Sequence, residues 1–130
     1  MATLDLNRET VEFLIDKARE FQERDEVTFP DQPESPTGHH SRRMSEDFGG
    51  DPYYGELVST IEDLDPDQQV SLVALMWLGR GDYSIDEWDD ALEHAGDSWN
   101  DHTADYLIGT PLLPDYLAEG LETFETEQED

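Results

Sequence analysis

The 130-residue sequence predicts an all-α fold, a compact bundle of about five helices with a long Pro/Gly-rich loop after the first. Three observations lead there. Apolar residues recur at alternating three- and four-residue steps, the spacing that gathers side chains on one face of an α-helix. No segment of useful length alternates with a period of two between turn signals, so strands are not expected. Helix start signals recur at Asn7, Asp51 with Pro52, Asp65 with Pro66, Ser84 with Glu87, and Thr110. Domains usually run roughly 100 to 150 residues, so residues 1–130 are read as a single helical domain.

The first helix is predicted from Arg8 to about Arg24, capped by Asn7, with Val11, Leu14, Ile15, Ala18 and Phe21 on one stripe. Leu6 and Val11 are placed to staple that start. Glu9, Glu12, Asp16, Lys17, Glu20 and Glu23 take the other faces, as on a surface helix that lends one side to a core. Residues 26–50 carry Pro30, Pro33, Pro36, Gly38, Gly49 and Gly50 and sustain neither period. A long or partly disordered loop is expected there, with Ser41–Phe48 able to form a short helix.

The second helix starts at Asp51 and Pro52 and sets Tyr54, Leu57, Val58 and Ile61 on one face. Asp65 and Pro66 repeat the start signal at once, which predicts a tight corner and a third helix from Pro66 to about Leu78. That helix is apolar nearly all round from Val70 onward, so it is expected to be the most buried, with Gly79 as its left-handed stop. Ser84 and Glu87 form a capping box opening a fourth helix, whose Ile85, Trp88, Leu92, Ala95, Trp99, His102 and Tyr106 keep one stripe as far as Ile108. A kink near Gly96 is the alternative. Gly109 and Pro111 end it, and Thr110 caps the last helix, whose face is Leu113, Tyr116, Leu117, Leu121 and Phe124. Residues 125–130 read as a solvated acidic tail.

Composition excludes several classes of function. Lys and Arg number 7 against 34 Asp and Glu, for a formal net charge of -27, so direct binding to nucleic acid or to an anionic membrane surface is not expected. Residues 82–130 contain no Lys or Arg at all. The absence of cysteine rules out a disulfide framework, a zinc finger and a thiol nucleophile. The start MATLDLNRE lacks the basic-then-apolar plan of a signal peptide, and the longest apolar run, Leu72–Leu78, is far short of the roughly 20 residues that span a bilayer, so the cytoplasm is the expected address. A single lysine, Lys17, on a carboxylate-rich chain resembles the proteins of salt-accumulating organisms, and points to halophilic adaptation. Three Trp, five Tyr and five Phe argue for a folded core in spite of the charge.

Candidate chemistry is sparse. Asp63, Asp65 and Asp67 imitate the start of a calcium loop, but Gln68 replaces its glycine and Ala74 its bidentate Glu, so Asp65 is better explained as a helix cap. Neither His94 nor His102 belongs to a Glu-x-x-His pair; each has carboxylates at helical spacing, Asp90 and Asp97 for one, Asp101 and Asp105 for the other, which suits a local cation site or simply a charged solvated face. His39, His40, Arg42 and Arg43 form one basic cluster, read as part of the loop. Gly79 to Tyr83 is the most suggestive segment, because two glycines let a partner approach the backbone and Arg80 is the last cation of the chain; a structural turn explains the same residues. Trp77, Trp88 and Trp99 recur every eleven residues, so the latter two share a stripe that serves either as core or, if exposed, as a partner seam. Trp77, Arg80, Asp82, Tyr83 and Trp88 are therefore the candidate binding residues. Ser84 and Thr103 lack a positioned base, and no catalytic residue, metal site or cofactor is expected.

Three stretches, LDLNRETVEFLIDKAREFQ (4–22), LDPDQQVSLVALMWLGRGDY (64–83) and HTADYLIGTPLLPDYLAEGL (102–121), resemble a family of small bacterial proteins catalogued as Domain of Unknown Function 3775. The pairing of MWLGRGDY with GTPLLPDYL is the more specific part. The resemblance implies no activity, cofactor or site residue, and this chain departs from it in acidity, which again suggests organismal adaptation. The expected function is a non-catalytic module that binds another protein or itself. The alternatives are a small metal-binding protein or enzyme using acidic residues with His94 or His102, and a mimic of the DNA backbone that occupies a basic groove on a nucleic-acid-binding protein.

Overall fold

The computed structural model describes residues 4, 6–23, 52–100, 103–110 and 112–128. The loop expected over 26–50, the cap Asp51, and His102 with Asp101 lie outside the described residues. Six α-helices and one 3-10 turn make an all-α bundle, with no strand among the described residues: α1 (Arg8–Glu23), α2 (Pro52–Glu62), α3 (Pro66–Arg80), the turn Ile85–Glu87, α4 (Trp88–Ser98), α5 (Thr103–Ile108) and α6 (Leu113–Gln128). No helix among them is long and apolar enough to cross a membrane.

α3 is the central element, packed between α6 and α4, while α1 lies on α6 and α2, and α2 on α5. Its residues Leu72 to Leu78 are all buried, as expected of a helix apolar on every side. The α1 stripe of Val11, Leu14, Ile15, Ala18 and Phe21 is buried in the same core, with Leu6 packed against it. Asn7 caps α1 as predicted: its Oδ1 accepts the Glu9 amide at 2.8 Å. At the α2–α3 corner the Asp65 amide donates to Gln68 Oε1 at 3.1 Å, which satisfies one of the orphan groups of the helix start.

Four boundaries differ from expectation. Gly79 is not the stop of α3; the helix runs to Arg80, and Gly81, at φ 94°, is the left-handed residue. Gly79 is needed for another reason. A Cβ there would lie 1.8 Å from the Tyr116 carbonyl oxygen, and one on Gly120 would lie 2.6 Å from the Leu75 carbonyl oxygen, so α3 and α6 cross backbone against backbone. These two contacts also make the pair antiparallel, bringing the start of α6 to the end of α3.

The predicted helix Ile85–Ile108 is divided. Ser84 and Glu87 do form a reciprocal start, with the Ser84 amide donating to Glu87 Oε1 at 3.0 Å, but it opens a 3-10 turn before α4 begins at Trp88. The break falls at Trp99 and not at Gly96. Trp99 is extended (φ -60°, ψ 136°), and its indole N–H donates to Gln69 Oε1 at 2.9 Å on α3. The Thr103 hydroxyl accepts from the Asn100 amide at 3.1 Å and donates to the Asn100 carbonyl at 2.8 Å, serving backbone groups that a continuous helix would have paired.

Thr110 does not cap the last helix, because its hydroxyl donates back to the Tyr106 carbonyl at 2.9 Å. Leu112 stands at that start instead, its carbonyl accepting the Tyr116 amide at 3.0 Å. It does so at φ 64°, a conformation that a leucine rarely adopts. Finally, α6 continues through Gln128, so residues 125–128 are helical and Glu125 pairs with Arg8.

Candidate functional site

The last turn of α3 and the chain that leaves it gather most of the side chains that matter. Gly81 donates to the Leu78 carbonyl and Asp82 to the Trp77 carbonyl, at 3.1 and 3.0 Å, which closes the helix in a Schellman-type stop. That stop throws Asp82 and Tyr83 back beside the turn they follow. Arg80 Nε donates to Asp82 Oδ2 at 2.8 Å, with Nη2 2.6 Å from the same oxygen. The Tyr83 ring stacks on Trp77 with centroids 6.0 Å apart and planes at 29°.

His94, from α4, completes the arrangement. Its ring centre is 4.7 Å from that of Trp77, and its Nδ1 is 2.9 Å from the Tyr83 hydroxyl. Beneath these rings the Trp77 indole is buried, and its N–H donates to the Tyr106 hydroxyl of α5 at 2.9 Å. Burial raises the Tyr106 pKa above its ordinary value of about 10, against the opposing pull of the Trp77 hydrogen bond and the Arg80 guanidinium. Burial alone would lower the Arg80 pKa, but its bond to Asp82 and the proximity of Tyr106 outweigh it and the net direction is upward. Arg80 is therefore a fixed cation.

Of the five predicted binding residues the structure brings together Trp77, Arg80, Asp82 and Tyr83, and leaves Trp88 out. Trp88 is 2 % exposed and meets Phe124 of α6 edge to face at 4.7 Å, inside the core. Its indole N–H finds no acceptor among the described residues. Trp88 and Trp99 do not form an exposed stripe, since the break at Trp99 takes that side chain out of phase and leaves it 38 % exposed.

His94 is given to Tyr83 and Trp77 rather than to Asp90 and Asp97, and no group of three or more acidic or histidine side chains is placed to hold a metal ion among the described residues. The Ser84 hydroxyl is tied to Glu87 Oε1 at 3.2 Å and that of Thr103 to Asn100, so both serve helix starts.

Three contributors escape a reading by local spacing. His94 and Tyr106 come from other helices, and nothing near them in sequence marks Trp77 as their partner. Leu112, 52 % exposed at positive φ, is brought to this end of the molecule by the antiparallel α3–α6 crossing. What results is a closely packed corner. Tyr83 stacks on the buried Trp77 indole with His94 tilted over it, Arg80 pairs with Asp82 within one turn, and an exposed leucine stands at the same end of the bundle.

The family model described as "Protein of unknown function (DUF3775)" matches residues 54–126, from α2 into α6. The match takes in the second and third of the stretches noted in the sequence; residues 4–22 lie outside it. No curated protein and no solved structure matches the chain.

Proposed function

Since the chain belongs to the DUF3775 family, whose description names no reaction, we propose from its geometry that the protein is a non-catalytic interaction module whose contact surface is the α3 corner with Leu112. One observation carries the reading: the polar groups of the corner are bound to one another, Arg80 to Asp82 and Tyr83 to His94, at the same end of the bundle as an exposed leucine held in a costly conformation. Groups already satisfied by neighbours form a preorganised surface, which lowers the ordering cost of association. A left-handed leucine costs roughly 1–2 kcal/mol, and such strain is commonly retained where function uses the side chain. The partner is another protein or a second copy. The acidic exterior fits a cytoplasm rich in salt, and every Asp and Glu with a described side chain is exposed except Glu125, which Arg8 covers.

Leu112→Gly separates contact from stability, because glycine relieves the positive φ while removing the apolar side chain. A photo-cross-linking residue at position 112 is expected to capture one discrete protein or a second copy, whereas the same group at exposed Asp63 is not. Leu112→Gly should keep or raise the thermal midpoint and abolish association with that species. A strict monomer at high concentration with no specific cross-link at position 112 defeats the proposal.

A further inference from the structure

All four Lys and Arg side chains among the described residues are already paired within the chain. Three stand on α1: Arg8 meets Glu125 and Arg19 meets Asp115 (3.8 Å), both on α6, and Lys17 meets Glu56 of α2 (3.6 Å). The fourth is Arg80, held by Asp82 inside the α3 corner. Arg24, Arg42 and Arg43 lie outside the described residues. Carboxylates at the corner have no such partners. Asp86 lies in the turn just after Tyr83, and Asp90 and Asp97 stand one helical turn to either side of His94, on its face of α4. All three are exposed, and no Lys or Arg among the described residues pairs with them.

Water solvates these groups while the corner is open. A stable interface covers roughly 800 Å² on each partner, too wide a patch to include Tyr83 and His94 and miss carboxylates one helical turn away. A carboxylate taken out of water loses solvation that only a matching donor returns, and added salt, which screens distant charges, leaves this local cost in place. A two-fold contact between identical corners sets the patch against itself. Asp86, Asp90 and Asp97 would then face the same carboxylates of a second copy, with Arg80 on each side committed to Asp82. We propose that the partner of the α3 corner is a different protein, one that brings arginine or lysine side chains to Asp86, Asp90 and Asp97. This partner assignment rests on the corner being the contact surface proposed above. Arginine fits best, because its planar fork takes a carboxylate through two parallel hydrogen bonds and is the less strongly hydrated cation to bury.

The test takes the species cross-linked at position 112, identified and prepared pure, and titrates it with the full chain. Asp86→Asn, Asp90→Asn and Asp97→Asn together remove three charges at nearly constant volume from exposed positions. The control, Glu62→Gln with Asp63→Asn and Asp67→Asn, removes the same charge from exposed positions at the other end of α3. The corner triple is expected to weaken binding at least about tenfold, and the control no more than about twofold. Single changes at the corner, each expected to cost roughly two- to threefold, serve should the triple unfold. A second copy as the cross-linked species overturns the partner assignment and leaves the contact surface standing. An affinity that Leu112→Gly abolishes but the corner triple moves no more than the control does the same. Failure of the surface itself looks different: no specific cross-link forms, or neither Leu112→Gly nor either triple changes the affinity, and the partner assignment falls with it.

Discussion

Trp77 and Tyr106 share a hydrogen bond out of reach of solvent, and ionising that phenol would place an anion in the core. Its raised pKa means that the folded protein holds the proton more tightly than the unfolded chain does. The resulting stability is fully present below the ordinary value of about 10 and is lost as pH climbs from there through the raised value. Urea midpoints measured from about pH 8 to 11 should therefore fall at the alkaline end. Tyr106→Phe should flatten part of that fall while costing about 1–3 kcal/mol at neutral pH, because the Trp77 N–H is left without its acceptor. An unchanged alkaline slope in the variant argues against the assignment. Trp77, Arg80, Asp82 and Tyr83 are legible in the sequence because a helix end and its stop bring near neighbours together. His94, Tyr106 and Leu112 are not, since their proximity is tertiary. Trp88 misleads for a related reason: spacing identifies a stripe without saying whether it faces the core or a partner.

Helix starts are read from sequence more faithfully than helix ends. Asn7, Pro52, Pro66 and Ser84 act locally, through one side chain or one fixed φ, and their signals survive folding. The ends at Gly81 and Trp99 depend on what lies across the bundle. Gly79 shows why, because a mid-helix glycine and a stop glycine are the same letter until the partner helix is known. Its substitution gives a paired prediction. Gly55, in α2, has nothing within 4 Å of an added Cβ, so Gly55→Ala should stabilise by roughly 0.5–1 kcal/mol through helix propensity. Gly79→Ala gains the same propensity but drives its methyl into the Tyr116 carbonyl, and should destabilise by about 1–3 kcal/mol net, or more if α6 cannot shift. Denaturant titration of both variants checks the opposite signs; Gly79→Ala as stable as Gly55→Ala would contradict the backbone crossing.

Electrostatics at long range sets how the entire chain responds to salt. Two opposing effects operate. The α1 ion pairs are solvent-exposed and individually weak, and they weaken further as salt is added. Mutual repulsion within a net charge of -27 weakens as well, because the screening length shrinks from roughly 10 Å at 0.1 M to about 3 Å at 1 M. With so few cations the second effect dominates, and the thermal midpoint is expected to rise from low to molar potassium chloride. A flat or falling midpoint would mean that the ion pairs outweigh the repulsion. The α3–α6 crossing carries a different kind of consequence, for how the sequence can drift over time. The obstacle facing residue 79 is a main-chain oxygen, which every amino acid at position 116 supplies alike. No exchange at 116 makes room for a side chain at 79, so the glycine there is tolerated or lost by itself and leaves no correlated trace in its neighbour.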